Sequence, residues 1–250
     1  GKSDELQQCG CDSADQVMVP AVKGAKSIDG RTRMELRRLE EQEHQKTRKL
    51  WEEVFSDDTR AFLDYYYFIK TKENEIWVIE EDGEIQSMLQ LNPYQLQVAE
   101  HPFLCRYIIA VATRAQYRSR GYMSSLLRKA MQEMYGKKEP FTFLMPAAEA
   151  IYTPYDFRFV YSQRQAVFEK KAETELIEEE DATMFQAEEL AAFAKERLFG
   201  TARVYAVRDA HYYQTRVLEQ QSENGGIRML KKTESWWGST AMQKRKPAKF

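Results

Sequence analysis

A basic turn in the middle of the chain has the residue types of an anion site. The turn, residues 116–121, reads Gln-Tyr-Arg-Ser-Arg-Gly and follows an apolar segment, residues 107–113, that predicts a buried strand. Apolar residues then recur at helical spacing, at Met123, Leu126, Leu127, Ala130, Met131 and Met134. The first N–H groups of a helix lack intrahelical partners and carry partial positive charge, to which Arg118 and Arg120 add whole charges. We therefore predict a pyrophosphate site, where Gly121 lets the backbone approach the ligand. A solvated turn between two core elements is the alternative.

The order of residues in this turn resembles the acetyl-CoA motif of the GNAT N-acetyltransferases, R-x-x-G-x-(G/A). Arg118 and Gly121 match the motif, and Met123 stands where the family has Gly or Ala. The sequence R-x-R-G followed by two large apolar residues is more similar to the enhanced-intracellular-survival (Eis) branch. That branch holds enzymes that acetylate aminoglycosides and other amines. The resemblance implies an α/β (α+β) fold class, the GNAT acyl-CoA N-acyltransferase fold with a mixed, mostly antiparallel sheet and flanking helices.

The resemblance also implies which residues bind acetyl-CoA. The strand at Ala110, Val111 and Ala112 would pair with the pantetheine arm, and one of its N–H groups could bind the thioester carbonyl as charge builds on the oxygen. The pyrophosphate would be held by the turn and the helix start, at Arg118, Ser119, Arg120, Gly121, Tyr122 and Met123.

A second stretch, residues 146–160, supplies the candidate catalytic residue. It resembles the pattern E-x-I-Y-x-x-(F/Y)-x-F that follows the fifth strand in the Eis branch, and Tyr152 falls where that branch has its general-acid tyrosine. A phenol within hydrogen-bond reach can protonate the departing CoA thiolate. The alternative for Tyr152 is a core aromatic among its aromatic neighbours. No side-chain base is evident; Glu149 could serve through water or could cap a helix.

Composition limits the classes of function. The chain has 250 residues, of which 43% are hydrophobic and 30% charged, as in globular proteins, and a formal net charge of −2. No global field therefore favours nucleic acid or an anionic membrane. Cys9, Cys11 and Cys105 make no disulfide framework, and with three His in the chain we expect no metal site. No apolar run has membrane-spanning length and no signal peptide is visible, so the expected location is cytoplasmic.

Four segments follow from the patterning. Residues 1–33 have no period and are expected to be a disordered or non-native extension, with Met34 as the suspected initiator. Residues 34–170 are expected to be the GNAT domain. It opens with a strand at 35–39 and a helix near 50–55. Ser56-Asp57-Asp58 offers caps for a second helix.

Further along the same domain, the second helix carries aromatics that could wall an acceptor site or pack in the core: Phe62, Tyr65 and Tyr66. Glu81-Asp82-Gly83 predicts a hairpin turn between two strands. Residues 141–146 predict a buried strand, and residues 161–170 a last strand of this domain.

Residues 171–231 predict a partial second GNAT-like domain. An acidic, linker-like stretch at 173–181 precedes helices at 182–198 and 205–220, then a turn and a strand at 227–230, which repeats the start of the first domain. Residues 232–250 form an aberrant basic tail with Trp236-Trp237-Gly238. A two-base frame slip would restore a hairpin sequence there, so we expect a frameshift and a truncated chain. Nucleic-acid binding would rest on this tail alone.

The expected function is acetyl-CoA-dependent transfer of an acetyl group to an amine, aminoglycoside-like or another polyamine or small amine, by direct attack in a ternary complex. In the Eis branch a C-terminal carboxylate from a sterol-carrier-like domain is thought to serve in the active site, and this chain is too short to contain that domain. The alternative is therefore a truncated, non-catalytic acyl-CoA-binding or interaction protein. We expect no nucleic-acid or membrane partner, and allow a homo-oligomer, because an unfinished domain exposes apolar surface.

Overall fold

The computed structural model describes residues 34–160, 178–232 and 235–242. The strands in these ranges are β1 (Met34–Arg38), β2 (Glu75–Glu81), β3 (Glu84–Val98), β4 (His101–Thr113), β5 (Thr142–Leu144), β6 (Glu178–Asp181), β7 (Val204–Ala206), β8 (Gly226–Lys232) and β9 (Ser235–Met242). The α-helices are α1 (Arg48–Val54), α2 (Arg60–Phe68), α3 (Tyr122–Gly136), α4 (Glu149–Tyr152), α5 (Ala187–Leu198) and α6 (Ala210–Ser222). Short 3-10 helices include Glu41–Thr47 before α1 and Lys70–Glu73 after α2.

The larger sheet follows the order β1-β2-β3-β4-β5 and is antiparallel except for its last pair, β4 with β5. Helices cover both faces. One core cluster lies between this sheet and α1 and α2, with Leu50, Trp51 and Leu63 at its centre. Another lies between the sheet and α3, where Leu126 and Leu127 are fully buried. This confirms the mixed α/β fold with a mostly antiparallel sheet flanked by helices.

A smaller sheet repeats the beginning of the larger one. Its order is β6-β8-β9, antiparallel throughout, and α5 and α6 stand between its first and second strands. The first unit likewise places α1 and α2 between β1 and β2, with β3 following by a hairpin. The core of the second unit contains Leu190, Tyr213, Val217 and Met229.

Several predicted elements are confirmed. The hairpin between β2 and β3 turns at Asp82 and Gly83, both with positive φ, at 56° and 78°, as an Asp-Gly turn requires. The strand, basic turn and helix at the predicted anion site are also present, as β4, residues 114–121 and α3. The turn at 224–226 and the strand after it are present as β8.

Other elements differ from the prediction. Thr59 caps α2, because its hydroxyl accepts the Phe62 N–H at 3.1 Å, whereas the carboxylate of Asp58 accepts the Trp51 indole N–H at 2.8 Å. The supposed buried strand at 141–146 shortens to the half-buried β5, with Met145 71% exposed.

Two differences concern the second unit. The acidic stretch contains a strand, β6, because its backbone pairs with β8. The predicted helix at 205–220 starts later, at Ala210, since residues 204–206 form β7 and pair with β3. The expectations for residues 1–33, for the strand at 161–170 and for 243–250 lie outside the described residues.

Candidate active site

The central feature of the site is a gap between β4 and β5. Their parallel pairing joins Arg106 to Thr142, Tyr107 to Phe143 and Ile108 to Leu144, and then stops. β4 continues to Thr113, and among the described residues no strand lies beside the backbone of its last residues on the β5 side. An extended ligand arm can add to such an edge as a further strand, using main-chain hydrogen bonds.

A β-bulge lies in the part of β4 that borders the gap. On the β3 side, Ile109 pairs with Gln90 and Ala112 with Met88, so Ala110 and Val111 stand opposite Leu89 alone. Ala110 has φ +52°, in the left-handed region, as an extra residue in a bulge can require. Because a bulge leaves one residue out of the ladder, it can turn a backbone N–H away from β3 and toward the gap.

The basic turn lies at the end of the same strand. Ser119 and Gly121 both have positive φ, 60° and 81°, so the turn reverses the chain directly into α3. The first intrahelical bond of α3 runs from the Ser125 N–H to the Gly121 carbonyl, which leaves the N–H groups of residues 122–124 ahead of the helical ladder. Arg118, Ser119, Arg120 and Gly121 are exposed, and Arg118 Nε donates to the Thr113 carbonyl at 3.3 Å.

An aromatic stack supports this turn. The Arg120 guanidinium lies over the ring of Tyr117, 4.6 Å from its centroid, and Tyr117 stacks on Tyr122 at 6.0 Å. Tyr122 is buried and its hydroxyl donates to Glu81 at 2.7 Å. The side chain of Tyr122 is therefore part of the core, and Tyr122 can meet a ligand only through its backbone N–H.

Tyr152 ends α4, the short helix after β5, on the face of the sheet that α3 covers. Its half-buried ring packs on the same core cluster as Val111, Tyr117 and Leu144, and contacts Phe157 edge-on at 5.8 Å. Burial raises the pKa of the Tyr152 phenol above its usual value. The phenol is thus held in its proton-donating form at neutral pH.

Comparison with known proteins identifies the family to which this domain belongs. The profile of the acetyltransferase (GNAT) domain matches residues 35–160, about half of the chain. The chain belongs to the GNAT family. GNAT acetyltransferases use acetyl-CoA as the acetyl donor. The matched range contains the gap, the bulge, the turn and Tyr152. No curated protein sequence matches the chain.

Solved GNAT-related structures share the fold at low sequence identity. A conserved protein of unknown function from Enterococcus faecalis V583, described as a probable N-acyltransferase, superposes with a TM-score of 0.65 at 13% identity and covers 82% of this chain and 53% of its own. A GCN5-related N-acetyltransferase from Kribbella flavida gives a TM-score of 0.55 at 14% identity, covering 80% of this chain and 53% of its own. The chain therefore spans about half the length of both structures, and at this identity the likeness concerns the fold alone.

The predicted GNAT site residues fall in one region, with two differences of detail. Ala110, Val111 and Ala112 line the gap, but Ala110 and Ala112 are buried on the α1 and α2 side while Val111 faces the α3 side. Met123, which stands where the family motif has Gly or Ala, is half-buried in the first turn of α3. Glu149, the alternative base, is exposed on α4, and the N-cap there is Ala148.

Sequence reasoning missed the residues that support the GNAT turn. Tyr117 stood in the quoted motif without a role, and Glu81 stood in the hairpin without a link to α3. Arg128, one helical turn beyond the site, lies over the ring of Tyr155 at 5.5 Å. The contacts of Glu81 and Tyr155 join segments distant in sequence, and no spacing pattern marks them.

Within residues 34–160, 178–232 and 235–242, no three or more His, Cys, Asp or Glu side chains are grouped as metal ligands would be. In the same ranges, no helix combines the length and the apolar character needed to cross a membrane.

The stack predicts a specific effect of Tyr117. We expect Tyr117→Leu to raise the Kd for acetyl-CoA about twofold to fivefold, because the cation–π contact that orients Arg120 is worth roughly 0.5–1 kcal/mol at an exposed position. Tyr117→Phe keeps the ring and should bind as the parent does. Calorimetric titration of both variants checks this. Equal weakening in Leu and Phe variants would contradict a role for the ring face.

Proposed function

We propose that this chain transfers the acetyl group of acetyl-CoA to a small amine by direct attack in a ternary complex. The observation that carries the proposal is the gap between β4 and β5, which opens beside the unpaired N–H groups at the start of α3. Family membership supports acetyl transfer in general. The acceptor and the roles of individual residues are our proposal.

The cofactor would bind along these elements. The pyrophosphate would accept hydrogen bonds from the N–H groups of residues 122–124, assisted by the charges of Arg118 and Arg120. The pantetheine arm would run along the free edge of β4 at Ala110, Val111 and Ala112. This arrangement sets the thioester beside the bulge.

The chemical step needs an electrophilic carbon, a hydrogen-bond donor to the developing oxyanion and an acid. The amine nitrogen attacks the thioester carbon, and the carbonyl oxygen gains negative charge that a backbone N–H of the bulge would stabilise. The carbon–sulfur bond then breaks, Tyr152 protonates the thiolate, and the amine loses its proton to water. The products are the acetylated amine and CoA.

Direct attack is favoured over an acyl-enzyme. Cys105, the cysteine in the part of the chain that the structure describes, is buried, and burial raises the pKa of its thiol to about 11. A thiol with that pKa is not ionised at neutral pH and is a poor nucleophile. Cys105 also lies on β4 before the gap, at the register position of Tyr94.

We further propose that the chain is related to the Eis branch, with a GNAT domain over residues 34–170 and a partial second one over 171–231. The order of strand, two helices, strand and strand, with β7 added between the two helices of the second unit, supports two related units. The R-x-R-G motif and the residues around Tyr152 support the branch. Acceptors of that branch, aminoglycosides and other amines, are therefore the first to test.

Calorimetric titration with acetyl-CoA, followed by an acceptor screen, tests the function. We expect micromolar binding of acetyl-CoA and a mass increase of one acetyl group on at least one amine. Binding without transfer to any amine, with CoA release also absent, would point to the non-catalytic acyl-CoA-binding alternative. A folded chain that does not bind acetyl-CoA would refute the proposed function.

A further inference from the structure

Two hydrogen bonds to β3 fix the direction of the last peptide groups of β4. The Arg114 N–H donates to the carbonyl of Gln86 at 2.9 Å. Because the N–H and C=O of a trans peptide point in opposite directions, the carbonyl of Thr113 is directed away from β3. The Ala112 carbonyl accepts the hydroxyl of Ser87 at 3.0 Å, so the Thr113 N–H, in the same peptide group, is also directed away from β3. Thr113 therefore presents both of its backbone groups to the gap.

A pair of hydroxyl groups holds Thr113 in this orientation. Ser87 is fully buried, and its hydroxyl oxygen lies 2.8 Å from that of Thr113. A serine hydroxyl has one proton to donate, and the proton of Ser87 goes to the Ala112 carbonyl. The Thr113 hydroxyl therefore donates to Ser87. Because the side chain of Thr113 is used within the sheet, only its backbone is left to meet a ligand in the gap.

The carbonyl of Thr113 already has a donor. Arg118, which is exposed in the basic turn, donates its Nε–H to this carbonyl at 3.3 Å. The bond is weak, because it is long and exposed and its acceptor is neutral. Arg118 therefore occupies the acceptor that an amide N–H of an added strand would use. The other arginine of the turn, Arg120, lies over the Tyr117 ring instead.

A pyrophosphate at the start of α3 would compete with Thr113 for Arg118. Arg118 precedes Gly121, the N-cap of α3, in the same exposed turn. Hydrogen bonds from a guanidinium to phosphate are charge-assisted and roughly twice as strong as those to a neutral acceptor. A pyrophosphate bound at residues 122–124 would therefore draw Arg118 away from Thr113. The freed carbonyl would then accept an amide N–H of the pantetheine arm.

We propose that Arg118 makes the gap selective for the intact cofactor, because it exchanges the Thr113 carbonyl for the pyrophosphate when CoA binds. Thr113 then pairs with the pantetheine arm through both its N–H and its C=O. This inference rests on the proposed function, and it names the residue that links recognition of the nucleotide to recognition of the arm. A thioester without a pyrophosphate leaves Arg118 on Thr113 and meets an occupied acceptor. By thermodynamic reciprocity, each half of CoA strengthens binding of the other half by the same factor.

NMR titration of the full chain with the two halves of CoA, 3′-phospho-ADP and pantetheine, tests the exchange apart from turnover. In the wild type, we expect saturating 3′-phospho-ADP to tighten pantetheine binding about threefold, because pantetheine no longer has to break the weak bond of Arg118. Arg118→Ala should tighten the binding of pantetheine alone by about the same factor and abolish the coupling. The same variant should weaken 3′-phospho-ADP binding about tenfold, because it loses a charge-assisted bond.

Arg120→Ala is the matched control. It removes the same charge from the same turn, but Arg120 rests on the Tyr117 ring, 4.6 Å from its centroid, rather than on Thr113. It should weaken 3′-phospho-ADP binding about tenfold as well, and leave both the affinity for pantetheine and the coupling as in the wild type. Tighter pantetheine binding in Arg120→Ala would show that the loss of charge, rather than the release of Thr113, explains the effect, and would overturn the exchange.

The outcomes separate the exchange from the proposed function. A folded wild type that does not bind acetyl-CoA refutes the proposed function and the exchange with it. Binding of acetyl-CoA, together with unchanged or weaker pantetheine binding in Arg118→Ala, overturns the exchange alone and makes Arg118 a brace of the β4 edge. Pantetheine that binds neither protein, or that binds the wild type equally with and without 3′-phospho-ADP, also overturns the exchange and leaves the proposed function standing.

Discussion

Gly121→Asp is expected to raise the Kd for acetyl-CoA at least about 100-fold, equivalent to about 2.7 kcal/mol. The substitution puts a carboxylate at the start of α3, where the pyrophosphate would otherwise meet unpaired N–H groups and the positive end of the helix dipole. A Cβ at position 121 meets no atom within 4 Å, so the side chain fits sterically. The positive φ of 81° adds a conformational cost of about 1–2 kcal/mol for a residue other than glycine. Isothermal calorimetry measures the change in Kd.

Gly121→Asn is the matched control for that experiment. Asn has the size of Asp, tolerates the left-handed region as well, and carries no charge. We expect its Kd to rise by less than about tenfold, with the same melting temperature as the Asp variant. Equal losses in the Asn and Asp variants would show that backbone conformation, rather than charge, decides binding, and the anion site would then have to lie elsewhere.

Tyr152→Phe is expected to lower kcat by about 100-fold while leaving the KM for acetyl-CoA within about twofold, because a positioned general acid typically contributes at least that factor. The phenyl ring keeps the edge-on contact with Phe157, so folding should be unaffected. Burial raises the pKa of the Tyr152 phenol, and the acid form is the active one. Loss of the acid form of Tyr152 should therefore lower the wild-type kcat only above the raised pKa, and Tyr152→Phe should lack this fall at high pH. Steady-state kinetics over a pH series, with an acceptor found in the screen, measures both effects.

Tyr155→Phe provides the comparison for Tyr152→Phe. Tyr155 is a half-buried tyrosine three residues away whose ring lies beneath Arg128. Its hydroxyl has no role in the proposed chemistry, so kcat should change by less than about twofold. An unchanged kcat in Tyr152→Phe would remove Tyr152 from the mechanism and leave solvent as the proton donor.

Local sequence signals predicted the parts of the fold that depend on neighbouring residues. The Asp82-Gly83 turn supplies two positive φ values between two apolar runs, and the apolar spacing of α3 follows from the face it buries. The strand, basic turn and helix around Gly121 are continuous in the chain, so one stretch of sequence contains nearly all of their determinants. The fold class was predicted from the resemblance to the GNAT motif, and the mostly antiparallel sheet with flanking helices confirms it.

Pairing between distant segments was not predictable. β6 is acidic, and it is a strand because its backbone pairs with β8 rather than because its side chains favour one. β7 was absorbed into a predicted helix, since nothing in Val204–Ala206 indicates a partner near Leu96. The cap of α2 moved from the predicted acidic residues to Thr59 because the Asp58 carboxylate is taken by the Trp51 indole.

The candidate site likewise has residues that a local motif predicts and residues that come together only in the folded chain. The two sequence motifs predicted roles for Arg118, Gly121 and Tyr152, and the experiments above test these predictions. The hydroxyl of Tyr122 bonds to Glu81, which approaches from a hairpin, and Arg128 of α3 lies over Tyr155, which follows α4. Side chains that meet only after the sheet and its helices assemble leave no spacing pattern in the sequence.

The strand β7 also bears on how the protein can be divided. The family profile ends at residue 160, yet Leu96, Gln97 and Val98 of β3 pair with Ala206, Tyr205 and Val204. A fragment cut at the profile boundary would lose this pairing and expose the edge of β3 at residues 96–98, while the pairing with β4 would remain. Exposed strand edges of this kind recruit other chains. The range that the family profile matches therefore ends before a segment, residues 204–206, that protects an edge of its own sheet.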